Sequence, residues 1–223
     1  MNKYKVIILS LLISFMGASC EDWLYDNVNE DAAHEVLPQQ VLPVVLFYSA
    51  QLQFDHAEYG AYLTQTLTTG GRNQTSSFAY KSGWGDFLTM NRHPQWRRHF
   101  YDIGVNAKEI IDEAHEAQAW NLELIGRTLR LMSTQMTTDL FGDMPRSEAY
   151  ESNSPHYDTQ ESIYEWMNQE IEELIGMYED PTYTEAATNI PIDQSIDRVF
   201  AGDLNKWKHY TYALKARLLL RKL

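Results

Sequence analysis

Apolar residues recur every three or four positions over most of this chain, and that spacing constrains the fold more than any other feature. It is clearest between residues 96 and 114, where the apolar positions are Trp96, Phe100, Ile103, Ala107, Ile110, Ile111 and Ala114. The spacing recurs over residues 122–140, 163–178 and 207–218, and an earlier stretch lies within residues 41–67. Side chains spaced in this way share one face of an α-helix. No stretch alternates convincingly with the period of two that marks a half-buried strand, so the sequence predicts an all-α fold.

Residues that stop or start helices mark the ends of these stretches. Gly142 and Pro145 follow residue 140, a glycine where a left-handed cap is needed and a proline where the helix cannot continue. Asp158 or Thr159 stands at the N-cap position of the next helix. Successive helices of ~15–20 residues, each with one apolar stripe, suit helix hairpins stacked as in a tetratricopeptide array. The sequence therefore predicts one helical domain over residues 38–223.

The first 20 residues have the organisation of an export signal. Lys3 and Lys5 precede an apolar run from residue 6 to residue 16, and small residues then lead to Cys20. This pattern predicts a signal peptide over residues 1–19, because the apolar run is shorter than the ~20 residues that span a bilayer. Cys20 stands where a bacterial lipoprotein carries its lipid, and we interpret it as the lipidation site. An ordinary signal peptide with a chance cysteine near its end is the alternative.

Charge and cysteine content exclude several classes of protein. The chain has 18 basic and 31 acidic residues, a net charge of -13, whereas nucleic-acid binding requires a concentrated cationic surface. The single cysteine excludes a disulfide framework and a Cys-rich zinc site. An acidic body is repelled by anionic lipid. Residues 20–37, which are acidic and short on large apolar side chains, are therefore predicted to be a lipid-anchored tether.

Charge is also distributed unevenly along the chain. Residues 147–197 contain 13 acidic residues and no Lys or Arg, whereas residues 198–223 contain seven basic residues and only one acid, Asp203. This distribution predicts a solvated acidic face packed beside a basic helix. The alternative is a surface for a basic partner or for a divalent cation.

No motif for catalysis or for cofactor binding is found in the sequence. The seven histidines lack metal-ligand spacing, and there is no nucleophile elbow, P-loop or dinucleotide fingerprint. One interpretation of Asp139 and Asp143 is a glycosidase acid pair. Two acids beside a glycine-capped turn are explained more simply by local hydrogen bonds and by a nearby arginine, either Arg127, Arg130 or Arg146. We therefore predict no enzyme, no cofactor and no metal.

One long irregular loop, residues 68–94, interrupts the helical pattern. It is rich in Gly, Ser, Thr and Asn but still carries four aromatic residues, which argue against disorder. Sugars present both apolar CH faces and hydroxyl groups, and flat aromatic rings beside amide and guanidinium groups match both. We therefore predict that Arg72, Asn73, Tyr80 and Trp84 contact a ligand. The alternative is a loop that folds over its own aromatic side chains.

The sequence ends within a strong helical pattern that contains no glycine and no polar cap. Leu218, Leu219, Leu220 and Leu223 are expected to pack against further parts of a longer protein. On this basis we expect the helical domain to be truncated at its C-terminus.

Four ordered blocks of sequence resemble a known family, the SusD/RagB-type nutrient-binding outer-membrane lipoproteins. The first runs from Gly126-Arg-Thr-Leu-Arg130 through Thr138-Asp-Leu-Phe-Gly-Asp-Met-Pro145-Arg-Ser-Glu-Ala149, and the second is Tyr157-Asp-Thr-Gln160-Glu-Ser-Ile-Tyr164. The third is Phe200-Ala-Gly202-Asp-Leu-Asn-Lys-Trp207-Lys, and the fourth is Ala213-Leu-Lys-Ala-Arg217. The likeness is weak before Trp96 and strong from Gly126 onward.

The resemblance implies an all-α fold of tetratricopeptide-like helix pairs and a place on the outer membrane, exposed at the cell surface. It implies a protein that captures an oligosaccharide or peptide ligand and delivers it to a TonB-dependent (SusC-like) transporter barrel. Two other classes remain open. One is a helical-repeat scaffold without a ligand, and the other is a surface glycan hydrolase.

The position of Cys20 generates the first testable prediction. Replacing the cysteine by serine, Cys20→Ser, removes the thiol that would carry the lipid, so the protein should be released from membranes in a detergent-partition assay. Unchanged retention in the membrane fraction would contradict lipid anchoring.

Overall fold

A computed structural model of the chain describes residues 37–64, residue 66 and residues 94–221. The long helices are α1 (Pro38–Leu63), α3 (Asn106–Glu116), α4 (Trp120–Phe141), α5 (Gln160–Glu179) and α7 (Leu204–Arg221). Two short helices, α2 (Pro94–Arg97) and α6 (Pro181–Thr184), complete the set, and a π-helical segment (Arg98–Val105) joins α2 to α3. Within these residues there is no strand, only an isolated bridge between Met144 and Asp158. The predicted all-α fold is confirmed.

Helix α4 lies at the centre of the described domain. It packs against α1, the π-helical segment, α3, α5, α6 and α7, and nearly every residue from position 121 to position 138 is buried. A three-residue connection joins α3 to α4, so these two helices form a hairpin. Because other helices surround α4, its side chains are buried on several faces, and polar residues such as Thr128, Ser133 and Thr137 are among those that are buried.

The core consists of the residues that the helical spacing singles out. From three of the predicted stripes the buried side chains are Ile103, Ala107, Ile110, Ile111, Ala114, Leu122, Ile125, Leu129, Met132, Met136, Ile163, Met167, Ile171, Leu174, Ile175 and Tyr178. At ~25 cal/mol per Å² of apolar area, burial of these side chains is the main force that assembles the helices. Thr159 is the N-cap of α5, as its side chain accepts a hydrogen bond from the Ser162 N–H at 3.2 Å.

One feature of the first stripe differs from the sequence prediction. Residues 96–114 do not form a single α-helix, because residues 98–105 adopt the wider π-helical turn. Backbone torsions stay helical on both sides of this segment, so the chain continues without a break from α2 into α3. Single π-helical turns are often found at functional positions.

A buried charged group fastens α5 to α4. The Arg127 guanidinium donates to both Glu170 carboxylate oxygens, at 2.8 and 3.1 Å, and to Glu123 at 3.3 Å. Glu173 lies 2.9 Å from the same guanidinium. Burial disfavours the charge on Arg127, but the hydrogen bonds that it donates to Glu170 and Glu173 outweigh that effect, so the pKa of Arg127 lies above its ordinary value.

The acidic residues of the 147–197 stretch therefore have several structural roles. Besides Glu170 and Glu173, Glu172 pairs with Lys215 of the basic helix α7 at 2.6 Å.

Among the described residues no group of three or more His, Cys, Asp or Glu is placed to hold a metal ion.

A second buried carboxylate organises the turn before α7. Asp197 is fully buried and accepts hydrogen bonds from the backbone N–H groups of Val199, Phe200 and Gly202 and from the Trp207 indole at 2.8 Å. Gly202 has a φ of +75°, which favours glycine, and a Cβ there would lie 2.4 Å from the Ile192 carbonyl oxygen. This turn seats Trp207, which is 1% exposed, in the core.

At the end of α7, Leu218 does not wait for further parts of a longer protein to cover it, as the sequence suggested. It is buried within the described domain, whereas Leu219 and Leu220 are exposed. Leu223 lies outside the described residues, as do the predicted signal peptide, Cys20 and all of the predicted tether except Leu37. None of the helices in the described ranges has the length and apolar character that a bilayer crossing requires.

The Asp197 turn generates a stability prediction. Asp197→Ala leaves four N–H donors without their acceptor, so the free energy of unfolding in urea should fall by about 3 kcal/mol or more. Asp193→Ala is the matched control, because Asp193 caps an exposed turn at Ser195, and it should change the unfolding free energy by less than about 1 kcal/mol. An equal, small effect of both variants would contradict the assigned role.

Candidate functional site

Four aromatic side chains meet where α2 packs against the C-terminal end of α4. The Trp96 ring lies 4.7 Å from Phe100, 5.2 Å from Phe141 and 6.3 Å from Tyr157, measured between ring centroids. The Trp96 and Tyr157 planes are close to parallel, at 21°, whereas Phe141 meets the indole edge to face. We call these four residues the aromatic cluster.

The fold presents part of the aromatic cluster to solvent. Tyr157 is 55% exposed, and Trp96, Phe100 and Phe141 are half-buried. Phe141 is the last residue of α4, and the bridge between Met144 and Asp158 holds Tyr157 close to that end. Trp96 and Phe100 pack on the core, and the Phe141 and Tyr157 rings both contact Trp96.

The Asp139 carboxylate lies two residues before Phe141, in the last turn of α4. The Tyr164 hydroxyl donates to the Asp139 carboxylate. Arg221 donates to the same carboxylate at 3.3 Å, and Arg217 lies 3.6 Å from it. Both arginine side chains are about half exposed, at 44% and 52%. We call Asp139, Tyr164, Arg217 and Arg221 the Asp139 cluster.

The electrostatics of the Asp139 cluster favour hydrogen-bond donors. Burial and the hydrogen bond to Asp139 both raise the pKa of Tyr164, so the phenol stays protonated at neutral pH. The hydrogen bond with Tyr164 and the charge of Asp139 raise the pKa of Arg221. The Asp139 cluster therefore offers guanidinium N–H groups near the C-terminal end of α4.

The two acids that the sequence offered as a glycosidase pair both have structural partners. Asp143 accepts the backbone N–H of Gln160 at 2.8 Å, at the start of α5. Asp139 is paired with arginines, as expected, but with Arg217 and Arg221 of α7 rather than with Arg127, Arg130 or Arg146. Residues far apart in the sequence supply these partners, so local spacing did not identify them.

The structure does not locate the ligand residues predicted from sequence. Arg72, Asn73, Tyr80 and Trp84 lie outside the described residues, so their role stays a prediction. The aromatic cluster, which sequence reasoning did not select as a site, begins two residues after Pro94, where the predicted loop ends. Two features of the sequence could have identified the aromatic cluster. Trp96 lies two residues after the end of the loop, and Phe141 and Tyr157 belong to the blocks that resemble the known family.

Fold and site together define an all-α protein with a partly exposed aromatic surface at one end of its central helix. The sequence matches the SusD-like family described as starch-binding and associating with the outer membrane, over residues 37–222. The chain belongs to this family. Neither the curated proteins nor the solved structures include a match to it.

A buried histidine behind the aromatic cluster generates a pH prediction. The His99 ring touches Phe100, with 4.4 Å between ring centroids, and its Nδ1 lies 2.7 Å from the Ser133 hydroxyl. Burial, with a smaller effect of the nearby Arg130 charge, lowers the pKa of His99 to about 3. In the unfolded chain the ordinary value of 6.5 applies, so between these two values only the unfolded state binds the proton.

Stability should therefore fall as the pH falls from about 6.5 towards about 3. Between pH 6.5 and pH 5 the free energy of unfolding should drop by roughly 1.5–2 kcal/mol more in the wild type than in His99→Gln, measured by urea titration. His209→Gln, at an exposed position of α7, is the control and should follow the wild type. Identical pH profiles for wild type and His99→Gln would show that His99 is not buried in its neutral form.

Proposed function

We propose that this protein is a lipoprotein of the cell surface that binds glycans at the C-terminal end of α4 and delivers them to a TonB-dependent (SusC-like) transporter. Its family supports both carbohydrate binding and association with the outer membrane. The observation that carries the proposal is the partly exposed aromatic cluster, at the same end of α4 as the Asp139 carboxylate and its arginine partners.

The two clusters match the two kinds of surface that a sugar ring presents. The CH face of a pyranose packs on a flat aromatic ring, and Trp96 and Tyr157 offer nearly parallel rings. Sugar hydroxyls need donors and acceptors nearby, and a guanidinium has five N–H donors. Arg217 and Arg221 use only some of these on Asp139, so donors remain for a ligand.

The loop of residues 68–94 adds to this site in our proposal. Its last residue, Pro94, begins α2, and Trp96 lies two residues further along. We propose that Tyr80 and Trp84 extend the aromatic surface and that Arg72 and Asn73 supply polar contacts, in agreement with the sequence prediction. The ligand could be an oligosaccharide or a peptide by resemblance, and the starch-binding description of the family favours the oligosaccharide.

Anchoring and export follow from the N-terminal residues. We propose that residues 1–19 are removed, that Cys20 carries lipid, and that residues 20–37 tether the domain to the outer membrane. Proteins of this family are binding proteins, which supports capture of a glycan rather than its hydrolysis. The structural partners of Asp139 and Asp143 support the same choice.

The aromatic cluster gives a direct test with maltoheptaose, a starch fragment. Trp96→Ala removes the central ring of the cluster, so affinity for maltoheptaose in calorimetric titration should fall roughly tenfold, equivalent to ~1.4 kcal/mol. The control is Tyr101→Ala, because Tyr101 is an exposed aromatic side chain, at 68%, that is not one of the four cluster residues. Helical circular dichroism should be unchanged in both variants.

Several outcomes would contradict the proposal. Equal losses in Trp96→Ala and Tyr101→Ala would show that the cluster is not the binding surface. Hydrolysis of maltoheptaose by the wild type would favour the hydrolase class. A protein that binds no glycan and copurifies with no transporter barrel would favour the scaffold.

A further inference from the structure

A small polar cavity lies beside α4, about three turns before the aromatic cluster. It has a volume of about 270 Å³, is partly open to solvent, and is lined by residues of the π-helical segment, α3, α4, α5 and the connection at residues 145–151. Its lining includes four large side chains, Arg130, Arg146, Tyr150 and Trp166. We call it the arginine cavity.

The two arginines of this cavity lack the partners that the other buried arginine has. Arg127 is paired with three glutamates. In the part of the chain that the structure describes, neither Arg130 nor Arg146 forms an ion pair, and the Nε atom of each is buried without a hydrogen-bond acceptor. A buried guanidinium N–H without an acceptor carries a desolvation penalty that a bound anion would remove.

The other charges around the cavity do not neutralise the arginines. Lys108 also lines it but is already paired with Asp112 at 2.5 Å and Glu151 at 3.5 Å. His99 is neutral, because burial lowers its pKa to about 3. The lining therefore has one more positive than negative charge, in a chain whose net charge is -13.

We propose that the arginine cavity is a subsite for an acidic sugar residue, whose carboxylate or sulfate group binds to Arg130 and Arg146. This inference rests on the proposed glycan binding. Guanidinium groups match the oxygens of a carboxylate or sulfate with paired N–H donors. The volume is slightly below the ~300–1,000 Å³ of pockets for drug-sized ligands, which suits a single sugar residue.

Two aromatic residues complete the subsite. Burial raises the pKa of Tyr150 to about 12, so its hydroxyl, which packs against Gly104 of the π-helical segment, stays protonated at neutral pH. Trp166 supplies apolar surface for a sugar ring, and its own ring lies 4.9 Å from the Arg146 guanidinium carbon. That contact also holds the Arg146 side chain in the cavity wall.

The test uses the full chain and four small probes, D-glucuronate, glucose 6-sulfate, D-glucose and inorganic sulfate, titrated by NMR. The two acidic sugars should bind at least tenfold more tightly than glucose. Arg130→Gln and Arg146→Gln should each weaken their binding at least tenfold. Arg198→Gln removes the same charge from an exposed turn and should leave the affinity unchanged.

Arg146→Gln keeps the test decisive if Arg130→Gln fails to fold, because Arg146 lies on a connection rather than on the central helix. Equal affinity for glucose and glucuronate, or no effect of Arg146→Gln in the folded protein, would overturn the inference. Inorganic sulfate that binds as tightly as the acidic sugars would overturn the assignment to a sugar, since the site would then recognise a free anion.

The subsite and the proposed function fail in distinguishable ways. If maltoheptaose binds in a Trp96-dependent manner but no acidic sugar does, the aromatic cluster stands and the subsite is wrong. If the acidic sugars bind in an Arg146-dependent manner but maltoheptaose does not bind, the anionic subsite is supported and the starch-type site at the aromatic cluster is wrong.

Discussion

The rest of the structure depends on the ion pair that Arg127 forms inside the helix bundle. Its guanidinium holds Glu170 of α5 through two hydrogen bonds and Glu123 of its own helix through a third. Loss of one partner from a buried pair of this kind leaves an uncompensated charge, at a cost of about 3–5 kcal/mol. Because this contact fixes the position of α5 on α4, it also sets the geometry of everything that lies between them. The aromatic cluster and the Asp139 cluster lie at the end of that interface, and the arginine cavity lies along it.

The positions of the arginines explain how an acidic protein can offer binding sites for ligands rich in oxygen. Arg127 is fully paired and serves the fold. Arg217 and Arg221 are half exposed and share one carboxylate, that of Asp139, so they retain N–H donors. Arg130 and Arg146 have no ionic partner among the described residues. The guanidinium groups thus differ in how many of their N–H donors the fold already uses: most in Arg127, some in Arg217 and Arg221, and fewest in Arg130 and Arg146.

The sequence predicted the fold well because the fold is governed by a local property, the helical spacing of apolar residues. That spacing identified the buried faces of α3, α4 and α5, and the N-cap preference identified Thr159. The partners of Asp139 were missed because they come from α7, 78 and 82 residues further along the chain. The π-helical turn was missed for a related reason, since the same apolar positions are compatible with either helix. For the candidate site, the sequence predicted only the adjacent loop of residues 68–94. Trp96 and Tyr157 are far apart in the sequence and come together only through tertiary packing.

The claim at the centre of this account is that glycans bind at the C-terminal end of α4. A crystal structure of the protein with bound maltoheptaose tests it most directly, because it shows which side chains contact the sugar. The account predicts a glucose ring packed on Trp96 or Tyr157, with hydroxyl groups within hydrogen-bonding distance of Arg217 or Arg221. An oligosaccharide bound on a surface that includes none of these four residues would contradict it.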